Sequence, residues 1–233
     1  ISQRAKSLSS HRSFENEMSV REALPLLLSF SMNDIAHAFA ELVANGKTVP
    51  SDISVKDSKD LEQKFVLNHM RPLISELGMD NTFLVNSTGL PTYSNKRRAI
   101  PTWYNNVSTP RDMVTLFNHI SDHYPEYIDL SSVAEVKMPN RVKPFKNSNP
   151  LLESSTRNNG RAQSIPVDGV EGGKTGLSAV SLWNAVLYYE AGDKRLGVLS
   201  TGNDNAEYAR VPKEALEKGV EALELRTTHE NNI

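Results

Sequence analysis

The chain has 233 residues, 38% of them hydrophobic and 23% charged, which is enough to bury a sizeable core and ordinary for a globular protein. A net charge of −2, with no stripe of Lys and Arg interleaved with aromatics, argues against a nucleic-acid footprint and favours a small partner. The absence of cysteine excludes disulfides, thiolate metal sites and a Cys nucleophile. No apolar run is long enough to span a bilayer, and the start Ile1–Lys6 lacks the charged-then-apolar pattern of a signal peptide. A chain opening at Ile1 without Met reads as a processed or truncated product of one α/β domain over 1–233, with 226–233 as a frayed tail.

Residues 1–18 are polar and rich in Ser and Arg, as in a loop or crossing segment. Ser19-Val-Arg-Glu22 is a capping box, so a helix begins there. Ala23, Leu24, Leu26, Leu27 and Leu28 make it apolar nearly all round, which predicts an interior position despite Pro25. Ser29–Asp34 interrupts that run, and Ala36, Phe39, Ala40 and Val43 resume a helical period that Asn45-Gly46 closes as a left-handed cap. At the corner, Asn33 or Asp34 can cap the second helix. Equally, a tight corner can hold Ser31 and Asn33 rigidly, aimed into a cleft.

After a polar connection, Leu61, Phe65, Val66, Met70, Leu73, Ile74 and Leu77 follow a 3.6 period that Gly78 ends, with a kink expected at Pro72. His69 there has no partner at i+4 and reads as a surface residue. Thr82–Asn86 reads as a short strand and Gly89-Leu-Pro91 as a turn. Thr109-Pro-Arg-Asp112 starts another helix, burying Met113, Leu116, Phe117 and Ile120. His119 and His123 are spaced to share a metal, but the zincin Glu is missing, and a solvated helix end is the simpler account. Phe145–Leu152 resembles a turn entering a short apolar segment. Ser181–Tyr189 and Arg195–Leu199 alternate around a turn at Ala191-Gly-Asp193, as in a hairpin. Ala206–Leu225 is an amphipathic helix whose stripe of Tyr208, Val211, Ala215, Leu216, Val220 and Leu223 suits packing across that hairpin.

The stretch Val167–Ser178 places a cation, a hydroxyl and bare backbone together at the start of a strand. Gly172 and Gly173 permit backbone angles other residues avoid, Gly176 leaves the edge open to a ligand, and Lys174 and Thr175 supply donors for an anion. A hairpin approach with Lys174 as a solvated surface charge is the plainer alternative. Dinucleotide fingerprints, phosphate loops, zincin helices and nucleophile elbows are all missing.

Two polar clusters remain, Ser31/Asn33 and Lys174/Thr175/Gly176. In order and chemistry they resemble the Ser-x-Asn and Lys-Thr-Gly motifs of serine penicillin-binding proteins and β-lactamases. Glu76–Phe83, Asn86–Pro91, Ser108–Met113 and Val170–Gly176 extend the resemblance to the low-molecular-mass D-alanyl-D-alanine carboxypeptidases over nearly the whole chain. That resemblance implies an α/β (α+β) transpeptidase-like fold, an antiparallel sheet flanked by helices, with its N-terminal part missing. It implies a serine-type hydrolase that trims the terminal D-Ala of peptidoglycan stem peptides through an acyl-enzyme, needs no cofactor and is inhibited by β-lactams.

The same resemblance casts Ser31 as a proton-relaying hydroxyl, Asn33 as the amide that bonds the substrate's acyl side and Lys174 as the supporting cation. Thr175 would bind the terminal carboxylate, and the edge at Gly176 and Leu177 would pair with the peptide backbone. An exported protein is implied, in the periplasm or on the outer face of the cytoplasmic membrane, with any membrane-surface association left to segments outside this sequence. The family's Ser-x-x-Lys motif has no counterpart, because no Ser stands three residues before a Lys. Nucleophile and general base are therefore both expected to be missing, so a non-acylating peptidoglycan-peptide-binding pseudoenzyme is the alternative, and a β-lactamase a weaker one. Ala179–Trp183, bulkier than the family's usual residues there, is expected to narrow the substrate cleft.

Overall fold

The computed structural model describes residues 1–8, 17–91, 105–138, 143–152, 164–178, 181–192 and 194–230. They form two compact units. The first comprises Ile1–Leu27, Met32–Leu116 and Lys137–Lys143, and the second Leu28–Ser31, Phe117–Val136 and Pro144–Ile233.

The first unit is helical. α1 (Gln3–Lys6) is capped by Ser2, whose hydroxyl accepts from Ala5 N at 3.0 Å. α2 (Val20–Phe30) starts on the expected capping box: Glu22 N donates to Ser19 Oγ at 3.2 Å, and Ser19 N donates to Glu22 Oε2 at 3.0 Å. The helix runs through Pro25, and of its apolar residues Ala23 and Leu26 are buried while Leu24, Leu27 and Leu28 are half-buried. α3 (Asn33–Asn45) ends at Gly46 with φ 71°, the left-handed cap foreseen.

α4 (Val55–Phe65) is capped by Ser54 and continues through a π-helical stretch, Val66–Met70, into α5 (Arg71–Glu76). This wider turn precedes Pro72, where a kink was expected: Arg71 N reaches back to Val66 O, and the missing proline N–H falls after the irregular stretch. The strand expected at Thr82–Asn86 reduces to one antiparallel bridge, Phe83 with Val107. Its physical reason is Asn106, whose Oδ1 accepts from Val85 N at 2.8 Å and Asn86 N at 3.1 Å and so occupies the donors a ladder needs. α6 (Pro110–His123) begins where Thr109 Oγ1 accepts from Asp112 N at 3.2 Å. The predicted apolar face is only half-buried, and Asp112 is the residue that goes fully inside, accepting from Asn81 N at 2.9 Å and Thr82 Oγ1 at 2.8 Å.

The second unit is built on a three-stranded antiparallel sheet in the order β3 (Val170–Ser178), β4 (Leu182–Ala191), β5 (Lys194–Asn203). The hairpin read from the sequence is thus present, and β3 joins it with Lys174 opposite Val186 and Thr175 opposite Ala185. Short strands β1 (Glu135–Val136) and β2 (Phe145–Lys146) pair separately, after α7 (Glu126–Ser131).

α8 (Arg210–Glu230) starts later than the apolar stripe suggested, because Asp204 Oδ1 accepts from Ala206 N at 2.8 Å and Glu207 N at 3.0 Å and holds a turn first. Pro212 consequently lies in the first turn and leaves the helix whole. The core joins Leu151, Trp183, Leu187, Val198, Tyr208 and Leu216, so α8 packs over β4 and β5. Each such apolar side chain contributes about 1.5–3 kcal/mol on full burial. No helix among the described residues is long and apolar enough to cross a membrane.

Candidate active site

The glycine-rich approach to Lys174 owes its composition to packing. Gly173 N donates to Ser131 Oγ of α7 at 2.8 Å, and that hydroxyl donates to Ile128 O at 2.6 Å. A Cβ on Gly172 would lie 2.4 Å from Ser131 Oγ, and one on Gly173, where φ is 143°, would lie 2.1 Å from Val186 O. These two glycines let β3 approach α7 and β4 closely. Gly176 differs: nothing lies within 4 Å of the position its Cβ would occupy, so the backbone there is open.

Lys174 is not a solvated surface charge. Its ammonium donates to Ser31 Oγ at 2.6 Å and to its own neighbour's carbonyl, Thr175 O. All these partners are neutral, and burial pushes the Lys174 pKa down from 10.5 to about 8. Ser31 ends the α2 corner with φ 57°, a left-handed conformation that costs a non-glycine residue about 1–3 kcal/mol. A strained hydroxyl is thereby held on a cation whose proton is only loosely kept.

Thr175 is buried, with its Oγ1 2.5 Å from Ser148 Oγ. Ser148 is fixed in turn: its N and Oγ both donate to Ser29 O at 3.0 Å, and its carbonyl accepts from the Tyr208 hydroxyl. Because the Ser148 proton is given to Ser29, the Thr175 hydroxyl donates to Ser148 in this arrangement. Beyond it, Leu177 is 56% exposed, opposite Trp183 in the register.

Ser31, Lys174, Thr175 and Ser148 therefore meet in the second unit. Asn33 belongs to the first, where it is the first residue of α3, half-buried. It does not cap that helix: Met32 is the cap position and offers no side-chain bond, and Asp34 Oδ1 accepts from Ile35 N at 3.0 Å in the first turn. Ser148 was missed by the sequence reading because Ser-Asn-Pro looks like a plain turn and its partner Thr175 lies 27 residues on.

Of the bulky stretch expected to narrow a cleft, Ala179 and Val180 lie outside the described residues. Trp183 is turned into the core, its ring 4.2 Å from that of Tyr208 and its Nε1 donating to Asn205 at 2.7 Å, so it narrows nothing. Among the described residues no group of three or more His, Asp or Glu side chains is placed to hold a metal. His119 and His123 pack ring to ring at 4.7 Å, beside Tyr124.

The sequence profile of the D-alanyl-D-alanine carboxypeptidase peptidases matches residues 1–186. The chain belongs to this family. No curated protein matches it. Among solved structures it is similar to penicillin-binding protein D2 of Listeria monocytogenes in a cefotaxime-bound form, at 21% identity and a TM-score of 0.63, covering 94% of this chain and 71% of that one. A peptidoglycan synthesis regulatory factor from Streptococcus pneumoniae is 22% identical with a TM-score of 0.69, over 95% and 62%. Penicillin-binding protein 5 from Haemophilus influenzae is 22% identical with a TM-score of 0.63, over 89% of this chain and 49% of that one. At such identities the likeness fixes the fold, the penicillin-binding-protein type of helices flanking an antiparallel sheet. The carboxypeptidase family is one of serine hydrolases, and Lys174-Thr175-Gly176 occupies the strand β3 of this member.

Proposed function

We propose that this family member acts on peptidoglycan stem peptides ending in D-Ala-D-Ala, as a serine-type D-Ala-D-Ala carboxypeptidase whose acylated serine, the target of β-lactams, is supplied from outside these 233 residues. The observation that carries the reading is the bond from Lys174 Nζ to Ser31 Oγ at 2.6 Å, which joins the two motif clusters across most of the sequence. In this reading Ser31 relays a proton near the leaving group, and Lys174 supports that relay electrostatically. A cation surrounded by neutral oxygens attracts an anionic peptide end more strongly as water leaves, because the attraction scales inversely with the local dielectric. Thr175 donates to the terminal carboxylate, with Ser148 then turning its own proton toward Thr175. The open backbone at Gly176 and Leu177 pairs with the peptide, and Asn33 bonds its acyl side. The substrate places the protein outside the cytoplasm.

A second reading holds if no Ser-x-x-Lys serine joins these 233 residues in the whole protein. Under it the same clamp holds a cell-wall peptide without acylation. Intact mass spectrometry after incubation with a labelled β-lactam separates the two. A covalent adduct of the drug's mass supports the enzyme. Saturable binding without an adduct supports the clamp, and no binding at all sinks both.

A further inference from the structure

Within the first unit, a second polar cluster lies apart from the motif residues. His37 on α3 is fully buried, and so are Glu41 one turn later, Ser58 on α4 and Ser2 at the start of α1. The ring sits between two carboxylates: Nε2 is 3.5 Å from Glu41 Oε1, and Nδ1 is 3.3 Å from Glu62 Oε2 of α4. Glu41 Oε1 also accepts from Ser2 Oγ at 2.7 Å and Ser58 Oγ at 2.5 Å, and Ser58 Oγ lies 2.9 Å from His37 Nε2. Glu62 Oε1 accepts from Ser87 N at 3.0 Å and Ser87 Oγ at 2.7 Å, which ties in the turn at Asn86–Leu90.

The donor count sets the charge on the ring. Ser58 gives its proton to Glu41, so it can only accept from Nε2, which must carry a hydrogen. Nδ1 makes no aligned hydrogen bond, but Glu62 Oε2, which can only accept, lies 3.3 Å away and favours a hydrogen there as well. A neutral ring would turn a bare lone pair toward one of these acceptors. Other charges nearby are Asp34, buried one turn earlier on α3, and, from the α1 segment, Arg4 and Lys6.

We propose that His37, clasped between Glu41 and Glu62, is a pH-sensitive latch that fastens α4 and the Asn86–Leu90 turn to α3 while its ring is charged and releases them as the proton is lost to solvent. The direction follows from the partners. Burial by itself lowers the His37 pKa and raises that of Glu62, but the carboxylates lift His37 from 6.5 to about 9, and His37 and Ser87 hold Glu62 down to about 2. A raised folded value means that the stabilisation is complete below 6.5 and is lost as pH rises through about 9. Glu62 contributes above its ordinary 4.5, so the latch is fully closed between 4.5 and 6.5. This window does not depend on the function proposed above.

NMR of the imidazole nitrogens in the full chain tests the charge directly. His37 is expected to titrate well above 8, whereas a midpoint at or below 6.5 overturns the proposal. Glu62→Gln, which keeps the ring and removes one flanking charge, should lower the midpoint by at least one pH unit; an unmoved midpoint also overturns it. In the unaltered protein, amide-exchange protection factors for α4 and 86–90 should fall at least tenfold between pH 6.5 and 9.5, more than those of β4. Equal or no loss in the two places means that the ring fastens nothing.

Discussion

Each unit encloses a basic side chain among oxygens, His37 fully buried and Lys174 half-buried, and the two choose opposite companions. His37 is met by two carboxylates and holds its proton more tightly than an exposed imidazole, whereas Lys174 is met, among the described residues, by a hydroxyl and a carbonyl and holds its proton less tightly than an exposed amine. Counter-charges repay the desolvation of His37 and make it a fastening. Lys174 is left unrepaid, and that is the state in which a cation still has attraction to offer an incoming anion. Burial alone therefore does not separate a structural charge from a chemical one; the charge of the partners does.

The largest test of this contrast is His37→Ala, which leaves Glu41 and Glu62 buried with no cation between them. It should cost about 3–5 kcal/mol of stability by urea denaturation at pH 6. The loss should shrink toward pH 9, since the unaltered protein gives up the same contribution there. A pH-independent loss would mean that the ring is packing rather than charge.

Lys174→Met should act in the reverse sense. The unfolded chain keeps the lysine proton up to about 10.5 and the folded one only to about 8, so the charged amine penalises folding fully below 8 and the penalty fades between these values. The variant is expected to be more stable by about 1–2 kcal/mol at pH 6.5, after allowing for the two hydrogen bonds it loses. The same variant should lose about 100-fold in β-lactam capture, as expected when one preorganised charge is removed from a site. A variant that is destabilised while still capturing the drug would reverse the assignment of the two cations.

The smallest effect is expected from Thr175→Val. Binding of a peptide with a free C-terminal carboxylate should weaken by about tenfold, and binding of its C-terminal amide by less, consistent with one hydrogen bond to a charged group. Equal weakening of both in a titration would remove Thr175 from carboxylate recognition.

Features with short-range causes were legible in the sequence. The Ser19–Glu22 capping box, the Gly46 cap, the start of α6 at Thr109 and the β4–β5 hairpin each depend on residues within one turn of one another, and each stands where it was expected. The Lys-Thr-Gly tripeptide was legible because its three residue types carry their chemistry wherever they stand. What escaped was set by distant partners. Ser148 becomes part of the site only because Thr175 and Ser29 reach it, and Glu62 looks like any solvated helix charge until His37 and Ser87 close on it. The strand expected at Thr82–Asn86 failed for the same cause, since Asn106, 20 residues further on, takes the amide of Asn86 for itself. Gly172 and Gly173 were read as places for backbone angles other residues avoid, which Gly173 shows with φ 143°, but the lack of room for a Cβ beside Ser131 and Val186 is set by other elements.

The π-helical stretch Val66–Met70 has a consequence for how this chain tolerates change in length. It places one more residue in the turn than an α-helix would, so Arg71 sits where its Nε and Nη2 can donate to Leu84 O at 3.1 and 2.9 Å and its guanidinium covers the Phe83 ring at 4.3 Å. Deleting a single residue there would turn the wide turn into an ordinary one of about 3.6 residues and leave the helix after it in nearly the same phase, whereas a deletion elsewhere in the helix would rotate everything after it by about 100°. Arg71 would keep its bearing on Leu84 and Phe83, so this wide turn is the place in the helix where a one-residue deletion is absorbed, and outside it the same deletion is felt as a change of phase long before it is felt as a change of span.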